Sequence, residues 1–419
     1  MKVLWITNIL FPEAVKLLTG EGELRASGGW MLGAADALLK YGDDVKLTVA
    51  TPSRLVNSLT FLKGEKTDYF VLPDIPKQYE VYWRVVKGKI EPDIVHIHGT
   101  EYAHGLAYVK ACGAGNVIVS IQGLVSIYSR YYYDGMTTWD VIKNTTIHDV
   151  FRGTIFAGKN SFIKRGKSER ELIKSVNHII GRTSWDRAHV WTINPNATYH
   201  FCNETLRHEF YTGSWEYDIC VPHTIFLSQA SYPIKGLHLL LKALSLVLRH
   251  YPDTQVRIAG VNIIESSSLY TWLKRSCYGK YISGLISQLH LESNCTFIGP
   301  LNANEIKTEY LRTNLFICPS TIENSPNSLG EAQILGVPCI ASYVGGNSDM
   351  MKGCEGYLYR FEEIEMLAYK ICKVFEMSPS FDNTMMKTVA NRRHNPQNNA
   401  MTLMGIYDML LKENELQSK

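Results

Sequence analysis

No stretch of this 419-residue sequence approaches the ~18–20 consecutive apolar residues of a membrane-crossing helix, so none is expected. Neither sign of charge dominates. With 43 Lys and Arg against 40 Asp and Glu, the net charge is +3, which argues against a nucleic-acid binder that relies on phosphate contacts. Cysteines are few and scattered: there are nine, an odd number, and no two lie closer than 15 residues. That spacing offers neither a zinc site nor a disulfide framework, and reduced thiols of a cytoplasmic protein are expected. No G-x-G-x-x-G follows the first apolar run, which disfavours a dinucleotide-dependent dehydrogenase. No Gly/Ser tract and no sequence repeat interrupts the chain.

What is present is a globular composition, 45% hydrophobic and 20% charged. The length suits two domains of about 200 residues each. The opening MKVLWITNILFPEA has a short apolar run broken by Thr7 and Asn8, and is expected to be a buried strand rather than a signal peptide. Short apolar runs then alternate with helical patterns, the mark of a parallel sheet covered on both faces. Strands are expected at 2–7, 45–50, 94–98, 117–121, 178–182 and 198–202, and again at 224–227, 255–259, 295–298, 315–318 and 338–342. The segment 203–223 lacks a period and is the expected linker. The expected division is 1–205, 206–395 and a final helical segment 396–419.

In such sheets ligands bind beyond the carboxyl ends of the strands, so the loops there hold the informative residues. From Leu315 to Ser342 the sequence gives a strand, a polar loop, a helix and a Gly-Val-Pro turn into another strand. The helix would begin with the amides of Asn327, Ser328 and Leu329, whose unsatisfied N–H groups and helix dipole favour an anion such as a diphosphate. Glu331, one turn in, could then accept hydrogen bonds from a ribose diol, and Glu323, on the far lip of the loop, from a sugar. Near Phe226–Leu244, Lys235 stands just before Gly236 at a helix entry, where its ammonium could meet the diphosphate. A glycine pair, Gly28 and Gly29, precedes another helix and permits close approach of a ligand. His96 and His98 alternate on a strand, but no third metal ligand is evident.

The motif Glu323-Asn-Ser-Pro-Asn-Ser-Leu-Gly-Glu331, with the following Glu-Ala…Gly-Val-Pro and Val344-Gly345-Gly346-Asn347, resembles the E-x7-E signature of the retaining glycosyltransferases of family 4. The resemblance spans nearly the whole chain, with its specific motifs in the second half. It implies an α/β protein of GT-B fold, two doubly wound Rossmann-like domains facing a central cleft. The second would bind a nucleotide-diphosphate sugar, the first an acceptor, and the last helix would cross back to the first domain. It implies Glu323 and Lys235 as catalytic residues, and Gly28, Gly29, Gln229, Lys235, Asn327, Ser328, Leu329 and Glu331 as donor-binding residues. Gln122 and His98 would position the sugar or acceptor. It implies no cofactor and no metal, the donor being a substrate. Two positions depart from the family pattern: Gln229 stands where many members have an Arg, and Gln122 where they have a His. An amide at either place can hydrogen-bond but supplies no charge and no base.

The implied function is transfer of a hexose or N-acetylhexosamine, from a UDP-sugar by preference, to a glycan or lipid-linked acceptor in cell-surface polysaccharide synthesis. A catalytically weak nucleotide-sugar-binding partner, or an epimerase of the same fold, stays open. Lys143–Lys174 holds eight Lys and Arg against three acids, interleaved with Phe151, Phe156 and Phe162. That run is expected to be either a solvated face or a peripheral contact with an anionic membrane on the inner face. Tyr128 and Tyr131–Tyr133 nearby would stack on a sugar or simply pack.

Overall fold

The computed structural model describes residues 1–20, 29–151, 156–266, 268–354 and 357–417. Its contacts divide it into two compact units. One comprises 1–126, 163–207 and 393–419, the other 127–162 and 208–392.

The first unit is built on an eight-stranded sheet: β1 (Lys2–Ile6), β2 (Lys46–Ser53), β3 (Thr60–Lys63), β4 (Asp68–Pro73), β5 (Ile94–His98), β6 (Val117–Ser120), β7 (His178–Gly181) and β8 (Thr198–Phe201). Their order is β3-β4-β2-β1-β5-β6-β7-β8. All neighbours are parallel except β3, which pairs antiparallel with β4 at the edge. Strand β5, IVHIH, is buried at every position, as a strand covered on both faces must be. The order reverses direction between β1 and β5, so their carboxyl ends open a crevice in this unit.

Strands β3 and β4 and the helix Tyr79–Ile90 were not expected from the sequence. The helix is rich in Val, Tyr and Trp, which favour strands, and only Tyr79, Trp83 and Val86 turn inward to mark its face. The helix Ala157–Lys174 runs through Gly158 and Gly166. Gly166 is there for contact: a Cβ would fall 2.6 Å from the Ser126 Cα. The final helix, Pro396–Gln417, sends Leu403, Ile406, Tyr407 and Leu410 into the core of the first sheet beside Val3, Trp5 and Met31.

The second unit holds a six-stranded sheet: β9 (Val221–Leu227), β10 (Gln255–Ala259), β11 (Cys295–Gly299), β12 (Thr313–Cys318), β13 (Cys339–Ser342) and β14 (Leu358–Tyr359). Its order, β11-β10-β9-β12-β13-β14, is fully parallel. Numbered within the unit this is 3-2-1-4-5-6, the dinucleotide-fold order, with the switch point between β9 and β12. The helix Leu237–Val247 buries a nearly continuous apolar face, Leu237 to Val247, over β9 and β10.

Residues 127–162, which come from the first half of the chain, belong to this second unit. Thr321 Oγ1 donates to the Tyr131 carbonyl at 3.1 Å, Lys242 Nζ to that of Gly135 at 3.2 Å, and Cys277 Sγ to that of Val141 at 3.3 Å. No local pattern announces this grouping.

A buried polar knot ties the final helix to the first sheet. Trp5 Nε1 donates to Tyr407 Oη at 3.0 Å, and the same hydroxyl lies 2.6 Å from His96 Nδ1. Tyr407→Phe strands a buried donor and is expected to cost about 1–3 kcal/mol in urea unfolding. An unchanged midpoint would show that the knot adds nothing.

Candidate functional site

The loops at the switch point of the second sheet are shaped by two glycines. After β9 the chain makes a tight turn, Pro233–Lys235, and reverses into the helix Leu237–Val247 at Gly236. Gly236 has φ +72°, and a Cβ there would run into the Pro319 carbonyl at the exit of β12. Only glycine permits that approach. It sets Lys235 against the loop that follows β12, and the Thr321 amide donates to the Ile234 carbonyl at 2.8 Å to fix the contact. Gly345, with φ +51°, plays the same part after β13. A Cβ on it would overlap the Glu323 carbonyl, which accepts from the Gly346 amide at 3.1 Å. Beneath, Asn347 Nδ2 donates to the Ser342 carbonyl at 2.9 Å, and Ser342 Oγ to that of Ser320 at 2.5 Å. The Val344–Asn347 stretch thus clamps the backbone of Glu323.

The two side chains so placed meet. Lys235 Nζ donates to Glu323 Oε1 in a buried ion pair. Burial pulls the lysine's pKa down, but the Glu323 charge and hydrogen bond, with Tyr232, outweigh it and hold the ammonium above its ordinary value. The Tyr232 ring lies 5.9 Å from Nζ and 6.5 Å from the ring of Phe162. Neither Tyr232 nor the Thr321–Tyr131 contact was anticipated; an aromatic three residues before the lysine was the available signal.

The helix after the loop spans Asn327–Leu335 and starts from Pro326. The Leu329 amide, expected to be an open donor, is engaged: it donates to the Pro326 carbonyl at 3.0 Å, because the first turn closes tightly on the proline. The amides of Asn327 and Ser328 remain as the positions without an intrahelical acceptor, and both residues are partly exposed. Tyr310 Oη donates to the Ser328 carbonyl at 2.8 Å and holds that turn from below. Glu331 is buried one turn in. Gln229 is exposed on the loop after β9, its Nε2 3.4 Å from Ser231 Oγ. Lys235, Glu323 and the helix start thus converge at one switch point.

The other expected residues lie in the first unit. Gly28 is outside the described residues. Gly29 opens the helix Gly29–Tyr41, and a Cβ on it would stand 2.8 Å from Arg207 Cδ. His98 ends β5 in a cavity of about 50 Å³ that Trp30, Arg182 and Glu204 also line. Its ring stacks on His96 at 3.8 Å, and neither ring nitrogen has a hydrogen-bond partner among the described residues. Burial, helped by the Arg182 charge, lowers it to about 3, so it is neutral. His96 is structural: its nitrogens meet Tyr407 Oη and Ser120 Oγ at 2.6 and 2.5 Å. Gln122 follows β6. Among the described residues no three His, Cys, Asp or Glu converge as metal ligands.

The basic run also divides. Lys143 and Lys159 belong to the second unit, Lys164 to Lys174 to the first, and Arg152 is outside the described residues. Glu169, which counted as one of its solvated acids, is buried. It accepts from the Val125 and Ser126 amides at 2.9 Å each and from Thr100 Oγ1 at 3.2 Å. It therefore positions the loop that follows His98 at the end of β5 and the loop after β6 that carries Gln122.

Residues 222–399 match the family of glycosyl transferases group 1. Among curated proteins, YtcC of Bacillus subtilis (strain 168) is 22% identical over 264 residues, 62% of this chain and 58% of its own length. Spore coat protein SA of the same organism is 27% identical over 141 residues, 33% of this chain and 35% of its own. The matched part of this chain thus spans little more than half of the first relative and about a third of the second. Among solved structures, sucrose-phosphate synthase from Thermosynechococcus elongatus matches over 98% of this chain and 99% of its own, with TM-score 0.71 and 14% identity. HepE from Anabaena, solved in complex with UDP-glucose, matches over 97% and 99%, with TM-score 0.64 and 15% identity. TarM from S. aureus, in a complex that includes UDP, covers 97% and 99%, with TM-score 0.63 and 10% identity. These likenesses show the GT-B fold.

Three residues after His98, the Glu101 carboxyl has a buried oxygen, Oε2, with no hydrogen-bond partner among the described residues. Burial above all, with the charge of Glu169, raises it from 4.5 to about 7, against its own backbone hydrogen bond. Between those values the folded chain keeps a proton that the unfolded chain has lost, so stability falls as pH rises through that window. Glu101→Gln removes the fall, with an expected gain of about 1–3 kcal/mol near pH 8 and little near pH 5. Equal urea midpoints for variant and parent at the higher pH would refute the raised carboxyl.

Proposed function

We propose, for a chain that belongs through residues 222–399 to the glycosyl transferases group 1, that it transfers a sugar from a nucleotide diphosphate to an acceptor hydroxyl with retention at the anomeric carbon. The observation that carries this reading is the buried Lys235–Glu323 pair at the switch point, beside the open amides of Asn327 and Ser328. A pyrophosphate on those amides places its negative charge where the helix dipole and the ammonium both stabilise it. Glu331 faces the ribose and Glu323 orients the sugar. As the bond from anomeric carbon to phosphate oxygen breaks, the acceptor oxygen bonds to that carbon on the same face. The departing phosphate oxygen takes the acceptor's proton, so no protein base is required. Lys235, held charged by Glu323, stabilises the leaving group together with the helix amides, since Gln229 brings no second charge.

A UDP-sugar is the favoured donor, in keeping with the UDP-glucose bound by HepE and the UDP in the TarM complex. The acceptor is a glycan or a lipid-linked glycan, reached from the cytoplasmic side, in cell-surface polysaccharide synthesis. Donor binding without transfer to any acceptor would instead mark a nucleotide-sugar-binding partner, the reading that Gln229 and Gln122 favour.

Glu323→Ala is expected to add about 2–4 kcal/mol to the barrier, a drop in kcat of roughly 30- to 1,000-fold. Near-normal turnover would remove Glu323 from the mechanism. A UDP-sugar at about 100 times its Kd should add ~2.7 kcal/mol of stability in a thermal-shift panel, and Lys235→Ala should abolish that shift. A panel in which no nucleotide sugar moves Tm would sink the donor assignment.

A further inference from the structure

The segment 127–162 also carries side chains that the transfer site does not use. Helix Thr138–Lys143 turns Val141 inward, while Trp139 and Ile142, one turn apart, face outward. Helix Ile147–Phe151 repeats the inversion: Ile147, Val150 and Phe151, at i, i+3 and i+4, all lie exposed on one face. Phe151 is 87% exposed and Trp139 67%. The second helix packs on Leu269–Lys274, which contributes an exposed Trp272. The first packs on Cys277–Gln288, where Lys280 Nζ reaches the carbonyls of Lys143 and Thr145 at 3.4 and 3.5 Å. These aromatic and branched side chains therefore share one region of the second unit, an apolar surface that a folded chain does not ordinarily leave to water.

The fully exposed charges of these helices are positive. Lys143 and Lys274 are exposed, and Arg275 and Lys280 are partly so. The two acids of these helices turn to their own helix starts. Asp140 Oδ2 accepts from the Thr137 amide and hydroxyl at 2.8 Å each, and Asp149 Oδ2 from those of Thr146 at 3.0 and 2.7 Å. Exposed aromatic side chains flanked by Lys143 and Lys274, with the nearby carboxylates engaged at helix starts, are complementary to the interface of an anionic bilayer, where rings seat at headgroup depth and ammonium groups meet lipid phosphates. Among the described residues no helix is long and apolar enough to cross a membrane.

We propose that the second unit docks peripherally on anionic phospholipid through the face of Trp139, Ile142, Ile147, Val150, Phe151 and Trp272. The docking stands apart from the transfer reaction and does not require it. Its basic partners are Lys143 and Lys274, not the whole 143–174 run.

The test is flotation of the full chain with vesicles of pure phosphatidylcholine and with vesicles containing phosphatidylglycerol. The expected result is binding to the second kind only, weakened by salt. It should weaken about tenfold or more in the triple variant Trp139→Ser, Phe151→Ser, Trp272→Ser, whose exposed positions leave Tm unchanged. Lys143→Gln with Lys274→Gln should weaken it further at low salt than at high salt. Brominated lipid should quench parent tryptophan fluorescence more than that of the triple variant. Absence of binding to either vesicle overturns the proposal. So does binding that the triple variant leaves intact, or a concentration-dependent dimer in sedimentation that the triple variant dissolves, which would make the face a chain-to-chain contact. Transfer to a water-dissolved acceptor should be the same in parent and triple variant, so loss of vesicle binding and loss of transfer are separately read.

Discussion

The charged pair of Lys235 and Glu323 governs the second unit, because two opposite charges withdrawn from water must be held in register or not at all. Removing one partner from such a pair leaves a buried charge uncompensated, at about 3–5 kcal/mol. The surrounding backbone is built to that tolerance. Gly236 lets the turn of Lys235 touch the Pro319 carbonyl, and Gly345 lets the loop after β13 lie on the carbonyl of Glu323. Ser342, Asn347 and Thr321 lock the intervening loops with buried hydrogen bonds. The pair is thus preorganised, and a charged ligand meets an ammonium already fixed in position.

A second constraint lies in the first unit, where a buried carboxylate organises loops rather than pairing with a base. Glu169 satisfies two backbone amides and a threonine hydroxyl, and so holds together the ends of β5 and β6. His98 sits at one of those ends, neutral and with open nitrogens, in a cavity shared with Trp30 and Arg182. Both units therefore present polar groups at the reversal of their strand order, where neighbouring crossovers leave on opposite faces and the loops part.

The strand-loop-helix from Leu315 to Ser342 was legible because all of its information is local: a buried run, a proline-bounded loop, a helix start and a glycine turn follow each other within thirty residues. Its amide pattern was less so. Whether Leu329 offers its N–H outward depended on how Pro326 closed the first turn, which residue type does not dictate. Glu169 looked like one more solvated acid in a basic run, since charge counts register sign and not burial. His96 and His98 looked equivalent by alternation, yet one is bonded at both nitrogens and the other at neither among the described residues.

By itself the sequence determined two successions of buried strands and amphipathic helices, the E-x7-E segment, and the glycines that let backbones touch. Periodicity and adjacency carry those facts, and both are properties of short stretches. Tertiary structure alone decided that Lys235 and Glu323, 88 residues apart, become partners. A parallel strand must wait for a crossover before it finds a neighbour, and only burial of both sheet faces selects β12 to lie beside β9. It alone decided, too, that residues 127–162 join the second unit, because the hydrogen bonds that tie them there are accepted by backbone carbonyls, which every residue possesses and no sequence pattern distinguishes.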